Sequence, residues 1–230
     1  MANAWLILTA ILAYLIGSFP TAYFVIRRML GKDIRSEGSG NVGTMNTYGA
    51  LKDEKSRREA VFGLFLTMGS DLGKGILAIY VGNWLSITGY YPLAGLIVAA
   101  AFVVLGHNYP FYFRFKQGGR GIAPLMGILL ALNPLSIGVW GGTMILSILL
   151  SQYVLERGIA WDSFSRIFSV IGRQATGRVI GLYTALIPLY FFDPKVFFPV
   201  LSATVIVLVK HADTIRLFLN KIKGSRIEDG

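Results

Sequence analysis

Four short stretches hold the residues of this 230-residue chain whose types and spacing suit chemistry. The first, DIRSEGSGNVGTMNTYG at 33–49, carries glycines at 38, 40, 43 and 49. Glycine lets successive backbone N–H groups turn toward one point, so Gly40 and Gly43, with the side chains of Ser39, Asn41, Thr44 and Asn46, outline a nest for an anion. A phosphate is the natural guest. The stretch lacks the G-x-x-x-x-G-K-[ST] pattern of a nucleotide P-loop. By itself it also fits a plain connector or a small-residue packing face.

The second stretch, GSDLGKGIL, puts Asp71 and Lys74 three residues apart, on one face of a helix in apolar surroundings. Ionisable groups at membrane depth are costly and usually functional, the alternative being a mutually neutralised structural pair. The third, VLGHNYPFYFRFKQGGRG, runs from His107 through an aromatic segment into a glycine turn at Gly118, Gly119, Arg120 and Gly121. His107 alone could cap a helix C-terminus; beside Arg120 it suggests a second anion site. In the fourth, KHADTIRLFLNKIKGSRIED, Lys210 and His211 close the last apolar run. The interfacial amphipathic pattern that follows fits contact with anionic lipid.

The elements that must position these residues are membrane helices. Hydrophobic residues make up 54% of the chain and charged ones 15%, with long apolar runs throughout. The first run, 4–26, is long enough to cross about 30 Å of hydrocarbon and lacks the basic n-region and cleavage site of a signal peptide. A net charge of +10 raises nucleic acid as a partner, but the basic residues form no tract with interleaved aromatics. They gather instead at 27–58, 114–120, 157–178 and 210–226, with nearly neutral connections between, as the positive-inside rule produces. Helices are expected near 4–28, 61–83, 92–113, 121–133, 135–156, 179–192 and 196–210. Asn133-Pro134 supplies the fourth turn, because a proline disfavours helix at the residue before it. The expected fold is an all-α integral membrane bundle of about seven transmembrane helices with cytoplasmic glycine-rich loops. It forms one domain over 1–230, with a basic tail from 209, an external N-terminus and a cytoplasmic C-terminus in the inner (plasma) membrane.

In this order the motifs resemble the acyl-phosphate-dependent glycerol-3-phosphate acyltransferases of bacteria, the PlsY family. The resemblance runs from Gly17 to Arg216 and adds Arg166 and Ser169 in RIFS to the stretches above. It implies transfer of an acyl chain from acyl phosphate to glycerol 3-phosphate, giving lysophosphatidic acid and phosphate at a site facing the cytoplasm. By the same resemblance Ser39, Asn41, Asn46, Arg166 and Ser169 bind substrate with the glycines, and Lys74, His107, Arg120 and His211 are the catalytic candidates. The chemistry agrees. An acyl phosphate is already activated, so orientation and charge stabilisation supply most of the rate. With no cysteine and no H-x4-D motif, direct attack without an acyl-enzyme is expected, the proton going to His107, His211 or a phosphate oxygen of the donor. Membrane lipids and the two substrates are the expected partners. No metal or cofactor is expected, since two lone histidines and scattered carboxylates lack a ligand spacing.

Four positions depart from the family pattern, the first being Thr44, where alanine is usual. Gly49 stands where an arginine is usual, Arg120 replaces a lysine after an insertion near Gln117, and Thr214 replaces an asparagine. Arginine at 120 keeps the charge and gains a bidentate phosphate contact, whereas a lost charge-assisted bond at 49 costs about 1.5–3 kcal/mol. Two other readings stand beside the enzyme: a relative that binds a phospho-metabolite or lipid head group, and a small transporter. Transport is the weaker, as neither inverted repeats nor polar groups on the outer side are evident.

Overall fold

A computed structural model describes residues 2–89, 92–155 and 175–216, all of their regular structure helical. The segment 157–165 and the basic tail beyond 216 lie outside the described residues. The long helices are α1 (Ala2–Ser18), α4 (Arg57–Gly89), α5 (Pro92–Asn108), α7 (Pro134–Leu155) and α10 (Pro194–Lys210). Shorter ones are α2 (Thr21–Leu30), α3 (Thr44–Glu54), α6 (Ile122–Leu132), α8 (Ala175–Thr184) and α9 (Leu186–Phe192). Among the described residues, five helical segments are long and apolar enough to cross a membrane: α1 with α2, α4, α5, α7, and α8 with α9. The other two expected passes are α6, of 11 residues, and α10, of 17.

Proline accounts for most differences from the expected boundaries. The first span is two helices, because Pro20 has no N–H to give and keeps Phe19 out of helical geometry. The sixth divides at Thr184–Leu186, where the ring of Pro188 would meet the carbonyl four residues back, that of Thr184. The glycine-rich stretch becomes helical at Thr44, earlier than expected, since Ala50 and Leu51 find a buried seat there.

Glycines set the closest helix contacts. A Cβ on Gly17 of α1 would strike the Val103 carbonyl of α5, and one on Gly106 of α5 would strike the Tyr14 carbonyl of α1. Gly75 of α4 and Gly127 of α6 do the same for each other's helices. Small residues at crossings let backbones approach where lipid offers no hydrophobic drive. Val103, Val104, Leu125, Leu129, Leu182 and Val200 fill the main core between them. Outward, Phe62, Phe65, Trp84 and Phe191 are exposed, as a lipid-facing surface requires.

A second, smaller core joins Ile26 of α2, Leu51 of α3, and Ile34 and Val42 of the first glycine loop to Phe113 of the second. Phe113 thus fastens the two loops to each other. At the turns where α6 meets α7 and α9 meets α10, Asn133 Nδ2 donates to Asp193 Oδ2 at 2.9 Å.

Candidate active site

Buried polar side chains of α4 and α5 form its centre. Lys74 Nζ donates to Asp71 Oδ1 at 2.5 Å, and His107 Nδ1 lies 3.7 Å from the same oxygen. All three side chains are buried. An isolated ammonium would not be tolerated in such a place, so pairing within one turn is what lets a lysine stand there. The cleft beside them is also lined by Ser18 and Pro20 at the α1–α2 break, by Val42 of the first loop and by Gly118 of the second. One small space therefore touches both glycine loops.

The first loop is held in shape from within. Gly38 and Gly40 take φ values of 50° and 68°, a region that side chains rarely enter. Asn46 is buried: its Oδ1 accepts the Ser39 amide at 3.0 Å, while Nδ2 donates to the carbonyls of Ile34 at 3.2 Å and Glu37 at 3.0 Å. The Gly40 amide goes to the Glu37 carbonyl and the Gly43 amide to that of Asn41. These bonds correct the expected nest, because the amides of Ser39, Gly40 and Gly43 are satisfied inside the loop and Asn46 is committed to its shape. What remains for a ligand is the side chains of Ser39 and Asn41 and the first turn of α3, which no side chain caps.

Asp33 anchors the loop's entry. Its Oδ1 accepts the Arg35 amide at 2.9 Å, and its Oδ2 meets Arg35 Nη2 at 2.6 Å. That bidentate partner holds the Asp33 carboxyl below the ordinary carboxylate value. The same guanidinium lies 4.4 Å from the centroid of the Phe113 ring, a cation–π contact that again ties one loop to the other.

The second loop is tightly wound. Arg114, Phe115 and Gln117 have φ of 54°, 63° and 49°, unusual for residues with side chains. The strain falls beside the insertion that separates this chain from the family pattern. The Gly119 amide donates to the His107 carbonyl at 2.9 Å, and a Cβ on Gly119 would strike the His107 ring. Gly118 is as confined, against the carbonyls of His107 and Asn108. These two glycines serve to bring the loop flat against the histidine.

At the end of α10, Lys210 Nζ donates to the Asn108 carbonyl at 3.1 Å and stands 4.4 Å from the centroid of the Tyr109 ring. His211 Nδ1 is 2.8 Å from the Val207 carbonyl. A carbonyl only accepts, so the proton sits on Nδ1, and the lone pair of Nε2 is left buried without a partner among the described residues. Arg120 lies close enough to Arg178 and Lys210 for their charges to act on one another, and to His211 to act on its ring.

A family model described as glycerol-3-phosphate acyltransferase matches residues 7–221. The chain belongs to that family. A glycerol-3-phosphate acyltransferase of Clostridioides difficile (strain 630) is 30% identical over 185 residues, 80% of this chain and 86% of the relative. One of Desulforudis audaxviator (strain MP104C) is 35% identical over 191 residues, 83% of this chain and 89% of the relative. The fold is that of the crystal structures of PlsY (YgiH), an integral membrane glycerol 3-phosphate acyltransferase. Its glycerol 3-phosphate form superposes with a TM-score of 0.63 at 23% identity, over 94% of this chain and 92% of that chain. The lysophosphatidic acid form gives 0.64 at 22% identity.

Within this acyltransferase frame, Lys74, His107, Gly118 and Gly119 come together at the cleft, and Arg120 lies near the cations Arg178 and Lys210 and the neutral ring of His211. Arg166 and Ser169 lie outside the described residues. The site residues expected from the sequence did not include Arg178, or Ser18, which stands in the GS that opens the resemblance. Arg178 is one of several basic residues that follow α7 in the sequence, and only its placement on α8 beside Arg120 distinguishes it.

Proposed function

We propose that this chain transfers a fatty acyl group from acyl phosphate to glycerol 3-phosphate at the cytoplasmic face of the inner membrane, releasing lysophosphatidic acid and phosphate. The observation that carries the reading is the buried Asp71, Lys74 and His107 at a cleft that touches both glycine loops, with Arg120, Arg178 and Lys210 near enough to one another to interact electrostatically, in a chain of this family. Phosphate-bearing substrates need such a concentration of cationic donors, and an activated donor needs little beyond orientation.

In this mechanism the cationic cluster, Ser39, Asn41 and the first turn of α3 hold the acceptor's phosphate. The acceptor hydroxyl attacks the acyl carbonyl directly. As the carbon–oxygen bond to the leaving group breaks, the departing phosphate becomes more basic and takes the hydroxyl proton, so no acyl-enzyme and no separate base are required. Arg120, with Arg178 near it, carries part of the charge that an arginine at position 49 supplies in the family pattern. Seven passes, counting α6 and α10, put the N-terminus outside and the basic loops in the cytoplasm.

The deciding experiment incubates purified protein with palmitoyl phosphate and glycerol 3-phosphate and follows free phosphate together with lysophosphatidic acid. Equimolar formation of both is expected. Binding of glycerol 3-phosphate with no product from palmitoyl phosphate or from shorter and longer acyl phosphates would make the chain a binding relative and not an enzyme.

A further inference from the structure

The break between α1 and α2 brings an unused hydrogen-bond donor to the cleft. Ser18 is fully buried, and its hydroxyl has no partner among the described residues. Leaving a buried hydroxyl unbonded is unfavourable, and serine loses nothing in packing by becoming alanine, so a purely structural role gives no reason for the oxygen. Its neighbours in the cleft are Lys74, His107 and the start of α2 at Thr21. Thr21 is already engaged, its Oγ1 lying 2.6 Å from Ser70 Oγ. Lys74 gives one of its three N–H donors to Asp71 and keeps the others. No side chain caps the first turn of α2, whose dipole presents its positive end there.

Size and charge decide what such a place can take. The free space is about 10 Å³, close to the threshold for one water-sized occupant and far below a phosphate group. Asp71 also offsets the charge of Lys74, so the pocket offers donors without the surplus of cations found around Arg120. Donors that line one small space, in a buried and nearly neutral setting, suit a neutral carbonyl that becomes negative during reaction.

We propose that Ser18 Oγ, with Lys74 and the first turn of α2, holds the carbonyl oxygen of the acyl donor as it becomes an oxyanion. This inference rests on the acyl-transfer reading above. When the acceptor oxygen bonds to the acyl carbon, the carbonyl π pair moves onto oxygen and is received by the Ser18 hydroxyl. When the pair returns, the bond to phosphate breaks, and phosphate leaves with its electron pair and the acceptor's proton. Ser18 keeps its own proton throughout and is a catalytic residue that forms no covalent bond to the acyl group.

The test is Ser18→Ala in full-length protein, with steady-state kinetics in both substrates and a thermal melt in detergent. A donor that acts only in the transition state lowers kcat and leaves KM unchanged. The expected result is a kcat reduced about 100-fold, KM for palmitoyl phosphate and glycerol 3-phosphate each within about twofold, and a Tm equal to wild type or higher, because an unbonded hydroxyl has been removed. Unchanged kcat in a wild-type background that makes lysophosphatidic acid overturns the role of Ser18 and leaves the acyltransferase standing. A raised KM for palmitoyl phosphate with normal kcat overturns it too, by showing ground-state binding. A fall in kcat matched by a fall in Tm shows a structural serine and has the same effect. An inactive wild type removes both readings together.

Discussion

Asn46 illustrates how a residue can serve a phosphate site without touching phosphate. Both polar atoms of its side chain are used in fixing the loop that presents Ser39 and Asn41. Asn46→Ala removes three hydrogen bonds worth about 1 kcal/mol each, so amide hydrogen exchange over 34–43 should quicken. KM for glycerol 3-phosphate should then rise by about tenfold or more for a loss of about 1.4 kcal/mol in binding, with KM for acyl phosphate little changed. Ser39→Ala, by contrast, should raise the same KM without altering exchange. Arg178 gives a second prediction at this scale. Arg178→Gln removes one charge-assisted contact, which is worth about 1.5–3 kcal/mol, and should raise KM for glycerol 3-phosphate by about one to two orders of magnitude. A Cβ at Gly49 meets nothing within 4 Å, so an arginine has room there. Gly49→Arg should recover part of the loss in the Arg178→Gln protein, and failure to do so in a folded double variant would separate the two positions. Residue identities at the cleft were readable because charge in an apolar helix is expensive wherever it occurs. Their partners were not readable, since Arg178 reaches Arg120 and His211 through the packing of α8, which no local spacing encodes.

At the level of elements, the apolar runs and the Asn133-Pro134 turn made most helices legible. The interruptions at Phe19–Pro20 and Thr184–Ala185 were not, for a definite reason. Hydropathy reports what surrounds a segment and is continuous through both prolines, whereas the break is a matter of backbone geometry and missing N–H donors. The helix α3 escaped for the opposite reason, with tertiary seats for Ala50 and Leu51 outweighing a glycine-rich sequence of low propensity. The loop entry carries a pH prediction. Because Arg35 holds the Asp33 carboxyl below its ordinary value, the pair's stabilisation is complete above the unfolded carboxylate value of about 4 and disappears as pH falls through the lowered folded value. Wild type and Asp33→Asn should therefore differ in loop hydrogen exchange at neutral pH and converge in strong acid, a difference that persisted there excluding the pair as its source. The strained second loop makes the reverse case. Gln117 at φ 49° should gain about 1 kcal/mol in stability on replacement by glycine, read as a rise in Tm.

For the whole molecule, orientation is the first thing to test, and the absence of native cysteine makes it simple. Single cysteines at Lys52 and Lys195, both exposed, should react from opposite faces of intact cells, Lys52→Cys only with membrane-permeant reagents. Reaction of both from the same side would overturn the proposed arrangement of passes. The pairing of Asp71 with Lys74 bears on a different question, the biogenesis of the chain. Both partners lie on one turn of α4, so their charges can cancel before any neighbouring helix has arrived. A pair divided between two helices would oblige those helices to enter the bilayer together, but this one lets α4 enter alone and wait for α5 and α6 to dock. Asp71→Asn should accordingly leave a solitary lysine at insertion and lower the fraction of α4 that crosses in a glycosylation-tag assay, whereas combining Asp71→Asn with Lys74→Gln should restore it. The order of assembly is thus written into a spacing of three residues.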